Sequence, residues 1–149
     1  MTATSHAVIG AVIAAKIGNP ALAIPIAFAT HLLADRVPHW DPATNIKKKS
    51  KERLLLDSAM DVFLSYAVAY LVTYYFFPET NILYMFFIVV CSQLFDWMTA
   101  PYYFFNIKFA PFYWAYKFQK MFDRKLDKPW GIVTQTVVVL LILLLAIIY

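Results

Sequence analysis

The sequence predicts an all-α, polytopic membrane bundle of about five helices, and three observations lead there. Hydrophobic residues make up 62% of the 149-residue chain, against roughly 45–50% in soluble domains. Mean hydropathy is +0.61, which leaves too little polar surface to coat a soluble globule. The apolar residues also fall into five runs separated by Gly, Pro or charged punctuation. The length fits a single integral membrane domain over residues 1–149.

The first run, residues 7–17, is closed by Gly18-Asn19-Pro20, a combination that stops a helix. Ser5 is its expected N-cap. The second run, 21–34, follows at once, so the two form a short helical hairpin. Each run is shorter than the roughly 20 residues that span a hydrocarbon core. A long helix is expected from Leu54 to Phe77, ending at Pro78. Another is expected from Ile82 to Phe105, kinked or shortened by Pro101. Residues 106–128 alternate aromatics with cations, the composition of an interfacial amphipathic segment. Residues 132–149 are almost wholly apolar and make the last helix.

The net charge of +4 does not mark a nucleic-acid binder. The basic residues lie in short segments between apolar runs, not on a basic domain of their own. Cys91 is the single cysteine, so no intrachain disulfide can form. The N-terminus carries no Lys or Arg ahead of its apolar run, unlike a secretory signal, and residue 1 is read as part of the mature protein.

Alternating the five runs across a bilayer puts twelve of the thirteen basic residues on one side and leaves Lys16 alone opposite. By the positive-inside rule that side is cytoplasmic, with the N-terminus there and Tyr149 outside. The same topology carries His6, His31, Asp35, Asp57, Asp61 and Asp96 toward the cytoplasmic face. A carboxylate within a membrane segment costs about 2.5–3.5 kcal/mol on insertion scales, so several at one depth face each other rather than lipid.

His31 and Asp35 stand four residues apart, as do Asp57 and Asp61, so each pair projects from one helix face. Two such pairs with a histidine from a third helix form the pattern of a metal site in a bundle. Imidazole and carboxylate suit zinc first, with manganese or iron as alternatives. Beyond Pro38, His39 is a further candidate ligand; alternatively His39 and Asp41 only shape an interfacial turn. A cluster of this kind equally suits a non-enzymatic membrane protein that binds an ion, relays protons or fixes helix packing.

At His6, Thr30-His31, Leu33-Ala-Asp35 and Pro38-His39-Trp-Asp41 the chain resembles the YdjM-like, membrane-bound metal-dependent hydrolases. These are small inner-membrane proteins of bacteria and archaea, some of them compared with zinc-dependent phospholipases C. The match covers mainly residues 1–41, with looser similarity around Asp61 and Asp96. Longer members carry a further motif, Gly-His-Arg-Gly-x-Thr-His-Ser, that is absent here. The resemblance implies metal ligation by His6, His31 and Asp35, with Asp61 or Asp96 possible, and in a hydrolase Asp61 or Asp96 would serve as general base or extra ligand. It also implies hydrolysis of a lipid or other amphipathic ester or phosphoester at the inner face of a prokaryotic membrane. Lys47 to Lys51 and the 107–128 segment are expected to contact lipid, including anionic lipid.

Overall fold

The computed structural model describes all 149 residues. It is all-helical, with no β-ladder. The elements are α1 (Ala3–Lys16), α2 (Pro20–Asp35), a 3-10 turn (Ile46–Lys48), α3 (Lys51–Phe76), α4 (Ile82–Ser92), α5 (Leu94–Phe105), α6 (Ala110–Gln119) and α7 (Trp130–Ile148). The helix count exceeds the five expected because the fourth run is broken in two and the interfacial segment contains a helix of its own.

By length and composition α3 and α7 can each cross a membrane. The α4–α5 pair, bent by 50°, makes a third crossing if taken as one broken span. Large apolar side chains such as Phe63, Leu71, Tyr75, Leu140 and Leu144 are exposed along α3 and α7. Exposed apolar surface on this scale belongs against lipid, because in water it would be an interaction or aggregation site.

The short helix α1 is the core of the bundle. It packs against α2, α3, α4 and α7, and its residues from Ser5 to Ala14 are all buried. A helix that is apolar all round is stable only when enclosed, so α1 is shielded by protein and its shortness imposes no bilayer mismatch. Helix α2 buries one face, Ala23, Ala27, His31 and Asp35 spaced by four residues, with Ala34 beside them. The small side chains let its backbone approach α1 and α4 closely. At the α1–α4 crossing, a Cβ on Gly10 would lie 2.7 Å from Ser92 Oγ and 3.1 Å from Val89 Cα, so only glycine fits without a shift.

Helix ends follow ordinary capping chemistry. Thr2, not Ser5, caps α1, its hydroxyl accepting from Ser5 N at 3.2 Å, because the helix starts earlier than the apolar run does. Asn19, Ser50 and Asn81 cap α2, α3 and α4.

The expected kink at Pro101 is corrected to a break at Gln93. Pro101 lies inside α5, whereas Gln93 is 1% exposed. Its amide donates to the Ala3 carbonyl at 3.0 Å and to Ser65 Oγ at 2.9 Å. Those tertiary bonds tie the chain to α1 and α3 at the point where α4 ends.

Candidate metal centre

The helix starts and stops described above bring four segments to one point: the N-terminus of α1, the C-terminus of α2, the α4–α5 break and the end of α6. Asp35 stands at the centre. Its carboxylate lies 3.2 Å from His6 Nε2, 3.4 Å from His31 Nε2 and 3.9 Å from His39 Nε2. These four side chains are at most 2% exposed. The amino group of Met1 also bonds Asp35.

The imidazoles are oriented by the backbone. His31 Nδ1 donates to the Ser92 carbonyl at 2.7 Å, an acceptor available because α4 ends at Ser92. His39 Nδ1 donates to the Val37 carbonyl at 2.8 Å. A carbonyl can only accept, so both rings carry a proton on Nδ1 and turn Nε2 inward. This is the arrangement in which an outer hydrogen bond fixes the tautomer of a ligating histidine. The His6 ring stacks on His31 with centroids 3.9 Å apart, and the Ser92 hydroxyl donates to the His6 carbonyl at 3.0 Å.

Donor atoms of His6, His31 and Asp96 lie within 4.8 Å of one another, so this group of two buried imidazoles and a partly exposed carboxylate could hold a metal ion. The spacing suits one: zinc bonds of about 2.0–2.2 Å put tetrahedral ligand atoms about 3.4 Å apart. His6 Nε2 is buried without a hydrogen-bond partner, as His39 Nε2 is, which fits atoms waiting for a cation better than a closed hydrogen-bond network. Asp96 borders the cluster, 3.7 Å from His31 Nε2, and its side chain is 40% exposed, marking the side open to the surroundings.

Asp57 and Asp61, placed with this cluster by sequence spacing, lie outside it. Asp61 accepts from Ala3 N at 2.7 Å, Thr4 N at 3.2 Å and Thr4 Oγ1 at 2.8 Å, so it caps the N-terminus of α1. Asp57 pairs with Lys49 at 3.3 Å and Arg53 at 2.8 Å. Their shared helix face meets α1 and the basic loop, not α2, so the i, i+4 pattern was satisfied by other partners.

Sequence reasoning missed Gln119 and Asp123, themselves four residues apart in the segment read as interfacial. The Gln119 amide donates to Asp96 Oδ1 at 2.7 Å and to His31 Nε2 at 3.1 Å. Asp123 Oδ1 lies 3.3 Å from His39 Nε2. The loop after α6 is held there by main-chain bonds, His39 N to the Arg124 carbonyl at 3.0 Å and Leu126 N to the His39 carbonyl at 2.7 Å. Lys125 completes the attachment, its ammonium 3.0 Å from Asp41. Burial works against both charges. The ammonium and Thr44 nevertheless hold the Asp41 carboxyl below its ordinary range, and Asp41 with Asp123 holds Lys125 above its own.

No protein-family model, curated protein or solved structure matches the chain.

Proposed function

We propose that the protein is a membrane-embedded, metal-dependent hydrolase acting on a lipid or other amphipathic ester or phosphoester. The observation that carries this reading is three imidazole Nε2 atoms turned on one buried carboxylate, two of them without a hydrogen-bond partner. His6, His31 and Asp35 would hold the ion, zinc by preference for imidazole and carboxylate in a compact site, with Asp96 as a further ligand or base. Such an ion lowers the pKa of a water molecule and polarises an ester or phosphoryl oxygen. Asp96, on the open side of the cluster, is the group able to take a proton from the attacking water, and Gln119 holds its carboxylate in place.

The surroundings suit a substrate with an apolar tail and an anionic head. A groove of about 400 Å³ runs between α1, α3 and α7 along Val8, Val68, Val72, Val139 and Leu143. Its polar end, Thr2 and Trp40, is one residue from Met1 and from His39. On α6, Lys117 sits over the rings of Tyr113 and Trp114 at 5.5 Å, an arrangement fitted to a headgroup layer. The resemblance to YdjM-like membrane hydrolases points to the same class, and the charge asymmetry supports a cytoplasmic face for the site. Lys16, the one cation assigned to the other side, packs on Phe77 at the far end of α1.

A second reading, a metal-free polar network that fixes helix packing, has one observation in its favour: Gln119 and the Met1 amino group already donate into the cluster. Metal analysis of the purified chain separates the two. The hydrolase reading expects stoichiometric divalent metal that falls on His31→Ala, and metal-dependent turnover of phospholipid vesicles that falls on Asp96→Asn. Metal-free protein with no turnover would leave the packing network standing.

A further inference from the structure

An ion held by His6, His31 and Asp35, with Asp96 beside it, would leave His39 without a role. Its side chain is fully buried, its Nδ1 proton is committed to the Val37 carbonyl, and its Nε2 has no hydrogen-bond partner. That Nε2 faces two carboxylates, Asp123 Oδ1 at 3.3 Å and Asp35 Oδ1 at 3.9 Å. Asp35 Oδ1 is already bonded by the Met1 amino group, whereas His39 Nε2 and Asp123 Oδ1 face each other with no hydrogen bond between them, a pairing that a cation would satisfy. Asp41 is the third member of this group, its donor atom within 4.8 Å of those of His39 and Asp123.

Lys125 does not fill the role of that cation. Its ammonium lies on the outer edge, 3.0 Å from Asp41 Oδ2 and 3.6 Å from Asp123 Oδ2, and Thr44 Oγ1 donates to Asp41 Oδ1 at 2.9 Å. Both Asp41 oxygens are therefore engaged, whereas Asp123 is held by one oxygen and keeps Oδ1 turned to His39. Lys125 and Asp41 position the ligand, and His39 with Asp123 offers the donor atoms.

We propose that His39 Nε2 and Asp123 Oδ1 bind a second divalent cation, and that Asp35 bridges it to the first, making a dinuclear centre. Asp35 is the one side chain within 4 Å of all three inward-facing imidazoles. Two ions sharing a carboxylate stand about 3.5–4 Å apart and clamp both the attacking and the leaving oxygen of an in-line displacement. Within the ester and phosphoester class, that clamp favours a phosphoester, whose displacement is in line. The inference rests on the metal reading of the first site.

The test is zinc stoichiometry of the full chain in detergent, stripped with chelator, reloaded with zinc alone and desalted. Wild type is expected to keep two zinc ions per chain. Asp123→Asn and His39→Gln are each expected to keep one, with helical content unchanged. Manganese-loaded wild type is expected to show the multi-line magnetic resonance spectrum of an exchange-coupled pair. One zinc per chain in wild type overturns the second site and leaves the first. Two ions that are uncoupled and indifferent to both substitutions overturn the bridge and the assigned ligands. No bound zinc overturns both readings. The wild-type zinc count and the wild-type manganese spectrum together decide whether a coupled pair exists even if a variant fails to fold.

Discussion

His31 turns its Nδ1 to the main-chain carbonyl of Ser92 at 2.7 Å, and this one hydrogen bond settles which imidazole nitrogen faces Asp35. The acceptor is a backbone atom at the end of α4, so the imidazole is oriented by the place where a helix stops. The site therefore depends on helix termination and packing as much as on its own side chains.

Zinc binding should accordingly stabilise the fold. At a free zinc concentration 100 times the dissociation constant, mass action adds about 2.7 kcal/mol for one site. Thermal unfolding in detergent with zinc against chelator is expected to show that gain in wild type and to lose it in His31→Ala. Equal melting with and without zinc in wild type would contradict the site.

Gly10→Ala tests whether α1 and α4 hold the ligands in register. The new Cβ would lie 2.7 Å from Ser92 Oγ, and overpacking of this kind costs about 1–3 kcal/mol. Ser92 serves both His31 and His6, so zinc affinity is expected to fall along with stability. A zinc titration that matches wild type would show that the crossing is irrelevant to the site.

Asp61→Ala separates capping from catalysis. Removing the carboxylate that accepts from Ala3 N, Thr4 N and Thr4 Oγ1 should cost about 1.5–3 kcal/mol, the range for hydrogen bonds to a charged group. Metal content at saturating zinc is expected to stay at the wild-type value. Loss of metal from a folded Asp61→Ala chain would return Asp61 to the ligand set.

The loop carrying Asp123 should be pH-sensitive at both extremes. Asp41 has a depressed pKa, so its contribution is present above the unfolded value of about 3.9 and is lost as pH falls through the lower folded value. Lys125 has a raised pKa, so its contribution is full below about 10.4 and is lost as pH rises through the higher folded value. Amide protection at residues 124–126, corrected for the intrinsic pH dependence of exchange, is expected to be flat between these limits and to fall outside them. Lys125→Met should lower protection across the plateau. A plateau unchanged by Lys125→Met would show that the main-chain bonds alone hold the loop.

Composition and the spacing of the apolar runs were enough to predict an all-helical chain with helices long and apolar enough to cross a membrane, because a 62% apolar sequence leaves too little polar surface to coat a soluble globule. The i, i+4 spacing of His31 and Asp35 likewise placed both on one face of α2, since helical geometry is local. What spacing could not supply was the partner of each face. Asp57 and Asp61 follow the same rule and meet a basic loop and a helix N-terminus instead. Gln119 and Asp123 follow it too, inside a segment whose aromatics and cations spoke only of an interface. The break at Gln93 was hidden for a related reason: the bonds to Ala3 and Ser65 that support it exist only once α1, α3 and α4 are packed. The sequence by itself determined the apolar character of the helices, their approximate positions and the inventory of donor groups. Tertiary structure decided which donors share a point, because convergence depends on where helices end and cross, and those are set by contacts between residues far apart in the chain.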